Sequence, residues 1–452
     1  FLGIGGIGMS ALARYFNHYK KVVCGYDKIS TSLTKQMEKE GIPCHYEEDV
    51  LALKNLLSKY KKEEILIVYT PAVPKDHQEY VYLLENNYNI LKRSQVLGEI
   101  TRQFKTIAVA GTHGKTTTTA LVTHLLKSAG INCFSFMGGI SKNYNTNLIL
   151  GEINDQESFV VVEADEYDRS FLTLSPQIAV ITSVDADHLD IYGDANQVME
   201  GYALFAKQIK EDGVLIVKKN VDNELRPANK KIIYSLNLDT EYCAQSIRIE
   251  NAQFFYDIKS PVEFIGNVAL GLPGLHNVEN SIAAVAIAQQ LGIKGDVIKE
   301  GLRSFSGVKR RFDYRVKTKK VVYVDDYAHH PEELKATIGS VKKLYPGKKI
   351  TGIFQPHLFS RTRDFADEFA ASLDMLDECI LLEIYPAREK PMVGITSSWL
   401  MSKMKLVDKK LMTKEQVLEE VKLNAKEIVV TMGAGDIDLL IEPLEKIFRQ
   451  TE

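Results

Sequence analysis

The sequence predicts an α/β protein of three domains, each built on a largely parallel sheet. Three observations predict it. Apolar, β-rich runs alternate with helical patterns over most of the chain, the mark of parallel sheets with crossover helices. Two glycine turns, at residues 3–8 and 111–114, each lie between an apolar run and a helical one. The length of 452 residues exceeds what one ordinary hydrophobic core organises.

The elements follow in order. A helix is expected over 9–19, with strands over 21–26 and 65–69. The run 88–99 then leads out through 101–105. A strand over 106–110 runs straight into the second glycine turn, and further strands are expected over 159–162 and 178–182. The stretch 220–260 reads as polar and irregular, and an Ala- and Ile-rich helix over 278–290 reads as buried. Past Gly307, strands are expected over 321–324, 350–354, 378–382 and 427–431. The domains so delimited are a Rossmann-like N-terminal domain (1–100), a central P-loop ATPase-type parallel-sheet domain (101–307) and a C-terminal Rossmann-like α/β domain (308–452).

Composition excludes several function classes. The chain is 45% hydrophobic and 25% charged with net charge −3, so no global field attracts nucleic acid or an anionic membrane. The five cysteines are scattered without a C-x-x-C pair, which argues against a zinc knuckle or disulfide framework and suits a reducing cytoplasm. No apolar run approaches the roughly 18 residues a membrane helix needs. The chain opens Phe-Leu-Gly, partway through an expected strand, which predicts that a few residues precede it.

Gly111-Thr112-His113-Gly114-Lys115-Thr116-Thr117 carries the sharpest chemistry. Strand, glycine turn, Lys-Thr and helix present backbone N–H groups and a positive helix end to phosphates. Lys115 suits the β- and γ-phosphates and Thr116 offers a hydroxyl to Mg2+. Only two residues separate Gly111 from Gly114, so the common P-loop spacing is not met. Alone, the loop means that ATP or GTP binds. Two acidic clusters follow at strand ends: Glu163-Ala164-Asp165-Glu166, and Asp185-Ala186-Asp187-His188-Leu189-Asp190. A nucleotide-bound Mg2+ takes oxygen ligands there. Chemistry favours Glu163 with Asp185 or Asp187 over His188, because imidazole is a poor ligand for a hard cation.

The first turn, Gly3-Ile4-Gly5-Gly6-Ile7-Gly8, fits the dinucleotide fingerprint G-x-G-x-x-G, and Asp27 ends the next strand where a ribose-binding acid belongs. Read alone, it suggests an NAD-dependent oxidoreductase. The second nucleotide loop weighs against that reading. A nucleotide-driven switch without ligation chemistry also stays open on the loops alone.

Seven motifs in order resemble the Mur ligase family: GIGGIGMS at 3–10, GTHGKTTTT at 111–119, DADHLD at 185–190, HNVEN at 276–280, RRFD at 310–313, DDYAHHPE at 325–332 and FQPH at 354–357. The resemblance spans the whole chain. It implies ATP-dependent ligation of L-alanine to the carboxylate of UDP-N-acetylmuramate through an acyl phosphate, in peptidoglycan synthesis. A related ligase that adds a tripeptide to the same UDP-sugar shares much of the pattern. ATP is the implied co-substrate and Mg2+, as two ions, the implied cofactor.

Carried onto this sequence, the family's catalytic positions are Lys115, Glu163, His188, Arg311 and Asp326. Thr116, Glu163 and His188 hold metal. ATP contacts extend from Gly111 to Thr117 and include Asn277, Asn280, Arg311 and Asp326. The UDP-sugar falls to Gly5, Gly6, Ile7, Gly8, Asp27, Thr70 and Ala72. The amino acid falls to Tyr327, His329, His357 and Arg361, on a C-terminal domain that closes over ATP. Leu358 departs from the pattern, since the family often has arginine there, and that leaves more of the carboxylate binding to Arg361. The implied partners are small molecules alone, without nucleic acid or membrane, for a monomer or homodimer.

Overall fold

In the computed structural model, Leu2 forms parallel bridges to Tyr26 on one side and Tyr69 on the other. Strand Gly25–Tyr26 pairs in parallel with Cys44–His45, and Ile67–Tyr69 with Ile90–Lys92. The spatial order is therefore third, second, first, fourth, fifth, as in a Rossmann half, and it reverses direction at Leu2. The glycine turn follows Leu2 at that reversal, where such sheets bind ligands. Gly3 has φ +82°, and a Cβ there would stand 2.5 Å from Thr70 Cγ2. Only glycine serves at such a place. The structure describes all residues except 153–157, 186–191, 222–224, 226–229, 238, 388 and 451–452.

Helix Ile7–His18 leaves the turn from Gly6, two residues earlier than the hydrophobic pattern suggests. The strand expected over 21–26 contracts to Gly25–Tyr26. Lys21 N–H closes the preceding helix by donating to Phe16 O at 3.1 Å, and Val22 is exposed. The first half of that apolar run thus ends a helix instead of joining a ladder.

The larger sheet of the same unit contains, among the described residues, Lys230–Ser235, Val214–Lys218, Ile178–Ile181, Lys105–Ala110, Phe159–Glu163, Cys133–Ser141 and Thr146–Ile149, in that spatial order. Every neighbouring pair is parallel except the last, which is antiparallel. Lys105–Ala110 is covered on both faces, which explains why its sequence runs apolar without alternation. Its carboxyl end meets the ends of Ile178–Ile181 and Phe159–Glu163 on either side, with Ala110 opposite Ile181 and Val109 opposite Glu163. Helix Lys115–Ser128 then packs behind, buried from Thr116 to Leu126.

The expectation of an irregular stretch over 220–260 is corrected. Strands Lys230–Ser235, Tyr242–Glu250 and Gln253–Lys259 occupy it. In Gln253–Lys259 the even-numbered residues are buried and the odd-numbered ones are not, so one polar face conceals the strand in a composition reading.

The chain divides into two compact units: Phe1–Cys243 with Lys259–Phe264 and Asn280–Gly301, and Ala244–Ile258 with Ile265–Glu279 and Leu302–Glu452. The second unit has a sheet ordered Asp313–Lys317, Val322–Asp326, Ile428–Met432, Ile350–Phe354, Glu378–Leu381, Lys409–Leu411. Its first pair is antiparallel and the rest are parallel. The four central strands of this order fall within a residue or two of their expected positions, whereas the edge strands Asp313–Lys317 and Lys409–Leu411 were not expected. The parallel carboxyl ends collect Asp326, the 355–357 segment and Gly433 on one edge. Among the described residues no helix is long and apolar enough to cross a membrane.

Candidate active site

The central loop is built by strain that glycine relieves. Gly111 has φ +132° and Gly114 φ +83°. A Cβ on Gly111 would lie 2.1 Å from Thr182 Oγ1, and one on Gly114 would lie 2.6 Å from Asn280 Oδ1. Ser183 Oγ accepts from His113 N at 2.9 Å, and Thr112 Oγ1 accepts from Asp185 N at 2.9 Å. The segment after Ile178–Ile181 therefore stitches the loop in place. His113 Nε2 faces Asp185 Oδ2 at 3.5 Å. Thr117 is buried in the first turn of the helix.

Lys115 Nζ donates to Gly111 O at 2.7 Å and to Glu166 Oε1 at 2.8 Å, and stands 2.7 Å from Glu166 Oε2. Burial alone pulls this ammonium down, but the carboxylates of Glu166, Asp165 and Glu163 together hold it above its ordinary range. Thr116 Oγ1 donates to Glu163 Oε1 at 2.9 Å, and Gly138 N donates to Glu163 Oε2 at 2.9 Å. A carboxylate and a hydroxyl oxygen at a nucleotide loop form a hard donor set, which fits Mg2+. No group of three or more His, Cys, Asp or Glu side chains that could hold a metal forms among the described residues. Asp187 and His188 lie outside those residues.

At the N-terminal turn, Gly5 N donates to Asp27 Oδ2 at 2.7 Å, and Ile29 N donates to Asp27 Oδ1 at 3.2 Å. Gly6 is unobstructed, since a Cβ there would meet nothing nearer than 3.6 Å. Thr70 packs on Gly3, while Ala72 is exposed. Ile7 starts the helix and Gly8 sits beneath Arg93, whose Nη1 would be 3.0 Å from a Cβ at Gly8.

Sequence reasoning missed Arg93, the first residue of helix Arg93–Arg102. Its Nη2 lies 3.6 Å from Asp165 Oδ2, and the neighbouring Lys92 Nζ bonds Asp168 Oδ2 at 2.8 Å. The same helix is fastened to the segment beyond Glu163. Thr173 Oγ1 donates to Ser94 O at 2.9 Å, and a Cβ on Gly98 would be 2.8 Å from Thr173 O. No local pattern announces these residues, because only the packing of this helix against the segment beyond Glu163 brings them together.

The second unit gathers its own cluster. Asp326, at the end of Val322–Asp326, accepts from Phe312 N at 3.0 Å, Ala328 N at 2.9 Å and Thr337 Oγ1 at 3.1 Å. Burial, opposed mainly by Arg311, raises its carboxyl to about 6. Arg311 lies over the Tyr327 ring at 5.0 Å and its Nη1 is 3.6 Å from Glu333 Oε1. Glu333 Oε2 also accepts from His329 N at 2.9 Å. Glu333 too was missed, although His-Pro-Glu-Glu reads as a capping box with Pro331 at the first helical position.

Tyr327, His329 and His357 form one run of rings, with centroids 5.3 Å and 6.1 Å apart, and His357 stacks on Tyr385 at 5.7 Å. Arg361 is buried on helix Phe359–Asp364. Leu358 has φ +72° and is buried, its N–H donating to Tyr385 O at 2.9 Å. In this chain the position is part of the packing. Asn277 Nδ2 donates to Pro273 O at 2.6 Å.

Sequence profiles described as "Mur ligase family, catalytic domain", "Mur ligase middle domain" and "Mur ligase, glutamate ligase domain" match residues 1–105, 109–288 and 310–435. The chain is 48% identical to the UDP-N-acetylmuramate–L-alanine ligase of Parabacteroides distasonis, covering 99% of this chain and 96% of that protein. Identity to the ligase of the same name from Flavobacterium johnsoniae is 46%, covering 100% and 97%. A crystal structure of UDP-N-acetylmuramate–alanine ligase from Thermotoga maritima superposes with TM-score 0.80 at 26% identity over 100% and 99% of the two chains. The murein peptide ligase of Psychrobacter arcticus shares the fold, with TM-score 0.71 at 22% identity over 98% of each chain.

Proposed function

Because the chain belongs to the Mur ligase family, we propose that it joins L-alanine to the carboxylate of UDP-N-acetylmuramate at the expense of ATP, giving the amide, ADP and phosphate in peptidoglycan synthesis. The observation that carries this reading is the full-length similarity, at 46–48% identity, to ligases of that name. The loop geometry by itself supports only nucleotide use. In this reading the enzyme works in the cytoplasm on small molecules.

A carboxylate does not condense with an amine in water, so it must first be activated. A carboxylate oxygen attacks the γ-phosphorus, the bond to ADP breaks, and an acyl phosphate forms. The alanine nitrogen then attacks the acyl carbon, loses a proton and expels phosphate through a tetrahedral intermediate. Lys115 and the N–H groups of 111–117 offset charge on the transferring phosphoryl group. Thr116 and Glu163, with His188, would hold Mg2+, which when bound polarises phosphate oxygens.

The Gly5–Gly8 turn, with Asp27, Thr70 and Ala72, takes the UDP-sugar, its pyrophosphate lying at the start of helix Ile7–His18. Asn277, Asn280, Arg311 and Asp326 serve ATP and the reacting carboxylate. Tyr327, His329, His357 and Arg361 receive the amino acid, with the arginine fork suited to its carboxylate. The three substrates are divided among domains at 1–100, 101–307 and 308–452.

The test is phosphate release with each amino acid in turn, with and without UDP-N-acetylmuramate. Release that needs both the UDP-sugar and alanine is expected. Product formed with a tripeptide and not with alanine would overturn the choice of substrate.

A further inference from the structure

Three acids in four residues, Glu163, Asp165 and Glu166, have different partners. Glu163 takes Thr116 and Gly138, and Asp165, which is partly exposed, faces Arg93. Glu166 is turned inward, 4% exposed, onto Lys115. Its backbone carbonyl accepts from Tyr192 OH at 2.7 Å, and Tyr192 is itself buried. The backbone that carries the carboxylate is thus held from behind by a packed tyrosine.

An ammonium has three donors and no acceptor. Those of Lys115 are taken by Gly111 O at 2.7 Å, Glu166 Oε1 at 2.8 Å and, more distantly, Thr112 O at 3.4 Å. The lysine is folded back along its own loop with its charge already answered. A buried ammonium without a counter-ion would be costly. The same carboxylate, left beside a triphosphate, would repel it.

We propose that Glu166 is a positioning residue for Lys115: in the nucleotide-free loop it supplies the anion that the lysine later finds in the phosphates, and binding exchanges one for the other. Resting on the ATP-dependent reading above, this assigns to Glu166 a part of the binding equilibrium. The lysine stays ordered and charged while the loop is empty, at the expense of nucleotide affinity.

The test uses the full chain and a non-hydrolysable ATP analogue with Mg2+, measured by titration calorimetry. Glu166→Gln keeps the size and one acceptor but removes the charge. The analogue should bind it about tenfold more tightly than wild type, with affinity for UDP-N-acetylmuramate unchanged. Without nucleotide the variant should melt below wild type, and saturating analogue should close the gap. Damage to packing alone would lower both melting temperatures and would not tighten binding.

Unchanged or weaker analogue binding in Glu166→Gln overturns the proposal, the weaker result placing Glu166 on the nucleotide's side. If that variant does not fold, Glu166→Asp, with the anion withdrawn by one methylene, should tighten binding by a smaller factor, and equal or weaker binding overturns the proposal equally. Failure of wild type to bind the analogue would instead bring down the ligase reading.

Discussion

The turn at residues 3–8 gives a backbone N–H to a carboxylate, Gly5 N to Asp27 at 2.7 Å, whereas the turn at 111–114 is followed by a lysine that gives its ammonium to one, Lys115 to Glu166. Both turns follow a strand, both start a helix, and both use left-handed glycines, Gly3 in one and Gly111 and Gly114 in the other. The scaffold alone therefore does not choose the ligand. An acid fixed on the turn offers acceptors to hydroxyl groups and resists a dense triphosphate. A lysine ringed by acids offers one cation and a set of oxygens, which suits a triphosphate with its metal.

The sharpest way to break the comparison is Lys115→Ala. ATP-dependent phosphate release should fall by about a thousandfold or more, while calorimetric binding of UDP-N-acetylmuramate stays at the wild-type level. Gly111→Ala comes next, because its Cβ would collide with Thr182 and its φ of +132° is closed to alanine. Nucleotide affinity should fall at least about a hundredfold. By contrast Gly6→Ala, with ordinary φ −61° and a Cβ in ordinary van der Waals contact at 3.6 Å or more, should unfold within about 0.5 kcal/mol of wild type.

Asp326 extends the comparison to a strand-end acid that burial dominates despite two backbone N–H donors. Its carboxyl rises from 3.8 to about 6. Between those values the folded chain keeps a proton that the unfolded chain has released. Its contribution to stability is therefore present at low pH and lost as pH rises through about 6, by up to roughly 3 kcal/mol. Urea unfolding between pH 4 and 7 should show that slope in wild type and a shallower one in Asp326→Asn. Asp27→Asn should raise the KM for UDP-N-acetylmuramate about tenfold and leave that for ATP alone.

Legibility in the sequence followed the range of the interactions. Loops whose function is local backbone geometry, such as Gly111 to Thr117, could be read directly, as could Glu163 at its strand end. Strands buried on both faces announced themselves as apolar runs. Gln253–Lys259, with one polar face, did not. Arg93, Glu166 and Tyr385 act through neighbours far away in the chain, 72 residues in the case of Arg93 and Asp165 and 51 for Lys115 and Glu166. Nothing local sets Arg93 or Tyr385 apart from other charged or aromatic residues, and the acidic cluster that contains Glu166 does not show that Glu166 turns inward onto Lys115. Leu358 shows the reverse: a departure conspicuous in the sequence proves to be a buried turn residue bonded to Tyr385.

The fastening of Thr173 to Ser94 and Gly98 has a mechanical consequence. The segment that begins at Glu163 and ends at Thr173 is anchored at one end in the central sheet and at the other on the helix that carries Arg93. That length of chain acts as a tie rod. A hinge between the helix and the strand it braces would have to break the Thr173–Ser94 hydrogen bond. Any tilt of the first glycine turn that carries the Arg93 helix with it must pull on the end of the strand that bears Glu163.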